Sequence, residues 1–143
     1  MTGTLVDTNI LVYIADGKDE KHPAAVKWLE HALSEEQSYF VCLQNLREFS
    51  SVCLGKKKIS PADVIGWVNQ FSAFFMVIEE SQDDIIRAIQ ISEENSMHFW
   101  DANIAAAMES HSIDGIITEN SSDFGKYGKA KVINIFGNAS ANN

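Results

Sequence analysis

Short apolar segments of strand length alternate with helix-forming stretches along the whole chain, and this alternation restricts the fold more than any other feature of the sequence. Gly3 to Val6, Tyr39 to Leu43, Phe74 to Ile78, Gly115 to Thr118 and Lys131 to Phe136 read as strands. Between them, Thr8-Asn9 offers capping side chains before a buried helix over Ile10 to Ala15. Pro23 opens a helix with the stripe Ala25, Leu29, Ala32 and Leu33, which ends near Ser34, and Gln44 to Leu54 forms another that stops at Gly55. Ser60, Pro61 and Asp63 give a strong start signal for the helix carrying Ile65, Val68 and Phe71. Ser81 with Asp84 caps the next, and a last helix runs from about Trp100 to His111. Apolar strands separated by crossover helices need both sheet faces covered, so the sequence predicts an α/β fold: a three-layer α/β/α sandwich around a mostly parallel sheet of about five strands. Right-handed crossovers would gather the strand C-termini along one edge, where such folds bind ligands.

The chain has 143 residues, 45% of them hydrophobic and 22% charged, enough for one core without disulfides or metal staples. A single domain is expected over residues 1–136, with a flexible tail over 137–143. No apolar run, Ala73 to Ile78 included, approaches the ~20 residues of a membrane span, and the first residues lack a basic leader. A cytoplasmic protein without membrane association is expected. Cys42 and Cys53 lie among apolar neighbours and form no CxxC pair, so they read as buried free thiols, and no zinc site is visible.

The net charge of -9 opposes a nucleic-acid substrate, since it repels phosphate at long range. Two features soften the objection. Cation-binding carboxylates would account for part of that charge, and lysines concentrate at Lys56-Lys57-Lys58 and at Lys126, Lys129 and Lys131.

On this scaffold Asp7 directly follows the first strand, Glu48 lies one turn into the helix after the second, Asp101 opens the helix before the fourth, and Asp123 falls in the loop after the fourth. All four can reach one edge of the sheet. Asp101 heads the stripe Ile104, Ala105 and Met108, so its carboxylate points toward the core side. A helix N-terminus favours an anion by only ~0.3–1 kcal/mol, whereas two carboxylates ~4 Å apart repel by about 4 kcal/mol at an effective dielectric of about 20. A divalent cation removes that conflict, and ligands that are all oxygen suit Mg²⁺ or Mn²⁺ better than zinc. Hydrolysis of a phosphodiester by metal-activated water is the chemistry such a cluster supports.

The segments Val6-Asp7-Thr8-Asn9, Asn45-Leu46-Arg47-Glu48-Phe49, Phe99-Trp100-Asp101-Ala102 and Thr118-Glu119-Asn120-Ser121-Ser122-Asp123-Phe124 resemble, in order and spacing, those of PIN-domain nucleases, especially the VapC-like toxins of bacterial toxin–antitoxin pairs. The resemblance extends from Leu5 to about Phe136. It implies a magnesium-dependent endoribonuclease, usually a homodimer, that acts on RNA and is inhibited by a small antitoxin inserting a peptide into the acidic groove. Asp7, Glu48 and Asp101 match the family's metal-holding acids. For the fourth position both Asn120 and Asp123 qualify; Asp123 is favoured as the acid, with Asn120 as a supporting ligand and Asn9 and Thr118 orienting carboxylates.

Each of these residues also has a plain structural role open to it: capping for Asp7, Asn9 and Asp101, a strand end for Thr118, a solvated surface for Glu48 and an acidic loop for Asp123. His22, His31, His98 and His111 show no ligand pair, and only His98 lies near an acid of the set, Asp101. Trp28 and Trp67 suit packing, while Trp100 is placed to stack a base. Two rival functions are a catalytically idle PIN-like binding module and a phosphohydrolase using Asp7 as nucleophile. The second would want another acid two residues on, where Asn9 stands.

Overall fold

A computed structural model describes residues 3–137 of the chain. Met1 and Thr2 lie outside it, as does the expected tail beyond Gly137. The elements run β1 (Thr4–Val6), α1 (Thr8–Ala15), α2 (His22–Leu33), β2 (Tyr39–Cys42), α3 (Leu43–Gly55), α4 (Pro61–Phe74), β3 (Met76–Ile78), α5 (Gln82–Asn95), α6 (Phe99–Ser110), β4 (Gly115–Ile117), α7 (Ser121–Tyr127) and β5 (Lys131–Ile133). Every strand pairing is parallel, in the order β3-β2-β1-β4-β5, so the sheet expected to be mostly parallel is wholly so.

Side chains alternate across each strand, and the alternation divides the core. Leu5, Cys42 and Ile116 pack with α5, α6 and α7, against Ile91, Ile104, Met108 and Phe124. Val6, Val41 and Ile117 face the opposite layer, where α1 to α4 supply Ile10, Ile14, Leu29, Phe49 and Phe71. Three layers follow directly. β1 and β4 are buried throughout, whereas the edge strands β3 and β5 are only three residues each and partly exposed, which limits pairing with other chains.

Capping chemistry behaves as the sequence requires. The Ser60 hydroxyl accepts from the Asp63 N–H (3.2 Å), and Ser81 and Asp84 form a reciprocal box in which Asp84 is buried. Trp28 packs edge-on against Tyr39 and Trp67 stacks on Phe71, so both serve the core. Both cysteines are buried and free, and burial pushes the Cys42 thiol up to about 12 and the Cys53 thiol to about 11. No helix among the described residues is long and apolar enough to cross a membrane.

Three boundaries differ from expectation. The run starting at Phe74 is helical through Phe74, because Val64, Phe71 and Phe75 continue one buried stripe and the strand begins only at Met76. β5 ends at Ile133, after which the Asn134 side chain accepts from the Phe136 N–H (2.9 Å) and turns the chain. Finally, the segment after β4 holds a helix, α7, where a loop was expected. Asn120 caps it by accepting from the Asp123 N–H (3.4 Å), and Gly128 closes it at a φ of 77°. Asp123 therefore stands in the first turn of a helix.

Candidate active site

The strand order reverses between β1 and β4: from β1 the chain winds outward through β2 and β3, and from β4 outward to β5. The crevice beyond the C-termini of two such strands is where open α/β sheets bind ligands. Asp7 leaves β1 and Thr118 leaves β4 at this point, and the Thr118 hydroxyl donates to Asp7 Oδ2 across it at 2.6 Å. Asp7 also caps α1, its Oδ1 accepting from the Thr8 N–H at 2.8 Å. Its capping role and its place in the crevice coincide.

Around Asp7 opens a hollow of about 370 Å³ whose lining includes Thr8, Asn9, Glu48, Asp101 and Asn120. Glu48, brought in by α3, accepts from the Thr8 hydroxyl (2.9 Å) and from Gln44 Nε2 (2.9 Å). Asp101, brought in by the first turn of α6, accepts from Asn120 Nδ2 at 2.7 Å. Asn9 donates weakly to Asp7 (3.4 Å) and to the Thr118 hydroxyl (3.3 Å), and its carbonyl accepts from the Glu119 N–H (3.3 Å). Three carboxylates are thus oriented by neutral donors alone. Lys57, on the rim, is engaged by Asp16 (3.0 Å) and Asp19 (3.5 Å).

The electrostatic consequence is visible in the acids themselves. Burial raises Asp7 above the usual carboxylate range, and the charge of Glu48 adds to this, against the lowering effect of the hydrogen bonds from Thr118, Thr8 and Asn9. Asp101 is carried up to about 7 by burial, by its hydrogen bond with Asp123 and by the charges of Asp7 and Asp123. Among the described residues no cation is ion-paired with Asp7, Glu48 or Asp101, although Lys56 also lines the hollow.

Asp123 is placed differently. It is buried behind Asp101 and is not part of the hollow's lining. Burial alone would raise it. Its hydrogen bonds with the His98 ring (2.9 Å), Asp101, the His98 N–H (3.4 Å) and Lys126 (3.4 Å) outweigh that and hold it down near 2. One ligand atom each from His98, Asp101 and Asp123 lie within 4.8 Å of one another. In the sequence His98 shows nothing beyond nearness to Asp101. The signal lay in its position as the residue before α6, where the chain turns toward the crevice.

The carboxylates of Asp7, Glu48 and Asp101, all oxygen donors, fit a hard divalent cation, while the Asn120 amide spends its Nδ2 on Asp101 and its Oδ1 on the Asp123 N–H. Thr118 supports this set from beneath, since its hydroxyl also accepts from the Asn120 N–H at 2.8 Å. Replacing it with the near-isosteric Val should lower magnesium affinity or turnover about 10- to 100-fold, read by metal titration and steady-state rates, while the circular dichroism spectrum is retained. Unchanged affinity and rate would deny Thr118 its orienting role.

Comparison with known proteins bears on the fold and the family. Against curated proteins the sequence gives no match. Among solved structures, a chain of a toxin–antitoxin complex from Klebsiella pneumoniae is 26% identical, with a TM-score of 0.68 over 93% of this chain and 98% of that one. A chain of the DNA-bound VapBC complex from Salmonella typhimurium is 18% identical (TM-score 0.71, covering 94% and 99%). The sarcin-ricin-loop-cleaving toxin VapC20 of Mycobacterium tuberculosis is 15% identical (TM-score 0.69, covering 86% and 94%). The sequence pattern of the PIN domain matches residues 4–130, a span that includes every acid of the site, and the chain belongs to the PIN domain family.

Proposed function

We propose that this protein is a magnesium-dependent endoribonuclease and the toxin of a toxin–antitoxin pair. The observation that carries the reading is the convergence of Asp7, Glu48 and Asp101 on one hollow at the topological switch point, each oriented by neutral donors and none ion-paired among the described residues. Asp7, Glu48 and Asp101 would hold the ion, with Mn²⁺ as an alternative and Asn120 beside them; Asp123, the fourth acid, acts through Asp101. When bound, such an ion lowers the pKa of a water and stabilises charge developing on a phosphate. The chain's own contribution is orientation: Thr118 and the Thr8 N–H fix the two oxygens of Asp7, Thr8 and Gln44 fix those of Glu48, and Asn120 fixes Asp101.

RNA as substrate is supported by this chemistry, by the exposed Lys56 and Lys58 next to the hollow, and by a fold shared with a toxin that cleaves the sarcin-ricin loop. An antitoxin partner is supported by the similarity to chains of toxin–antitoxin complexes. A homodimer is supported by exposed apolar side chains such as Leu54 and Ile65 on α3 and α4. A single domain over 1–136 and a cytoplasmic location remain parts of this proposal. Structured RNAs incubated with magnesium should be cut internally, EDTA should stop the reaction, and the product of an adjacent short reading frame should co-purify and inhibit it. Cleavage that persists in EDTA would contradict the proposal.

A further inference from the structure

Beside the acidic hollow, and sharing Glu48 with it, lies a hollow of about 410 Å³, and adjoining this a third of about 340 Å³; the two have Arg47, Glu80 and Trp100 in common in their linings. None of these three residues has a role in the metal site. Trp100 is 62% exposed although it immediately precedes Asp101, and Arg47 is exposed beside Glu48 with no hydrogen bond or ion pair among the described residues. A large aromatic side chain and a free guanidinium are the two groups on which unstacked bases settle.

The hydrogen bonds beneath them are one-sided. Gln44 spends its amide hydrogens on Glu48 (2.9 Å) and on the Trp100 carbonyl (2.9 Å), and its oxygen accepts from Asn103 Nδ2 at 2.8 Å. Asn103 Nδ2 gives its other hydrogen to Glu80 Oε2 at 3.1 Å, and Asn103 Oδ1 is buried with no partner among the described residues. Since Glu80 can only accept, the orientation of the Asn103 amide is fixed. The amides have no donors left to offer. Of the charged side chains lining the two hollows, Arg47 keeps its donors and Glu79 and Glu80 keep acceptor capacity, so a ligand edge that carries donors beside an acceptor fits.

Among the nucleobases, guanine presents two adjacent donors, N1–H and N2–H, spaced for a carboxylate, whereas adenine, cytosine and uracil each present one donor group on that edge. We infer that the Arg47, Trp100 and Glu80 hollow is a guanine-reading subsite for a base flanking the cleaved phosphodiester. This rests on the reading of the chain as a ribonuclease. Glu48 lines both this hollow and the acidic one, and Trp100 immediately precedes Asp101, so a base seated there adjoins the metal site.

The test uses the full chain and single-stranded oligouridines carrying one guanine, adenine or cytosine. Binding in EDTA is followed by fluorescence anisotropy and cleavage in magnesium by gel. The guanine oligomer should bind about 10-fold more tightly than the others and be cut beside the guanine. Glu80→Gln should abolish that preference in the EDTA binding assay, and Trp100→Ala should weaken binding of the guanine, adenine, cytosine and plain oligouridines about 10-fold. Thermal melts of both variants separate misfolding from loss of recognition, and the exposed position of Trp100 keeps one arm informative if Glu80→Gln unfolds. Cleavage without base preference, or a guanine preference that survives Glu80→Gln, overturns the subsite. Guanine-selective binding without any cleavage keeps the subsite and refutes the nuclease.

Discussion

Asp101→Asn should abolish RNA cleavage while making the metal-free protein more stable. The two effects have one cause. Loss of a carboxylate that holds the ion removes several kcal/mol of transition-state charge stabilisation, on the order of a 10²- to 10⁴-fold fall in rate. Without the ion, the same carboxylate is a liability, because burial, the hydrogen bond with Asp123 and the charges of Asp7 and Asp123 carry it from 3.8 up to about 7. An acid raised on folding contributes stability that is fully present below its unfolded value and is lost as pH climbs through the folded one. For metal-free wild type, this contribution should therefore decline between pH ~4 and pH ~7 and stay flat above. Asn carries no such dependence. Melts in EDTA should show Asp101→Asn above wild type at pH 8 and level with it near pH 4. A variant that is inactive and also less stable at pH 8 would mean that Asp101 is a structural residue.

Phe71→Ala should unfold a large fraction of the protein's margin without touching the chemistry. Phe71 is fully buried in the layer formed by α1 to α4, edge-on to Phe49 (5.1 Å), stacked with Trp67 (5.4 Å) and close to Phe75 (6.1 Å). Removing the ring costs the transfer of its surface and leaves a cavity lined by rigid aromatics that collapse poorly, about 3–5 kcal/mol in all. Ile65→Ala, on the same helix but exposed, should change stability by less than about 0.5 kcal/mol. Urea titration measures both. A loss at Phe71 below about 1 kcal/mol would show that α4 contributes little to the core.

The layers of the fold were legible because every strand is short and apolar and nearly every helix carries a start or stop signal, as Ser60-Pro61 and Ser81 with Asp84 show. Where apolar residues run continuously, as from Ala73 to Ile78, periodicity cannot divide helix from strand, and the boundary moved by two residues. α7 was hidden by its composition: Ser121, Ser122 and Gly125 read as loop, and only the Asn120 cap and Gly128 stop mark seven residues as helical. That helix decides the geometry of the fourth acid. It turns Asp123 away from the hollow toward His98 and Lys126, and leaves Asn120 facing Asp101. The hydrogen bonds that orient the acids, such as those from Thr8 and Gln44 to Glu48, join residues whose sidedness depends on exact helix rotation, which spacing alone does not give. His98 escaped for a similar reason, since its partner lies 25 residues away across two elements.

Asp7, Glu48 and Asp101 share one hollow, and in the proposed function a divalent cation balances them. Isothermal titration of the metal-free protein with magnesium at low ionic strength tests it most directly. Saturable binding is expected, raising the melting temperature and weakening at least tenfold in Asp7→Asn and in Asp101→Asn. Equal binding by wild type and both variants, or none by any of them, would contradict it.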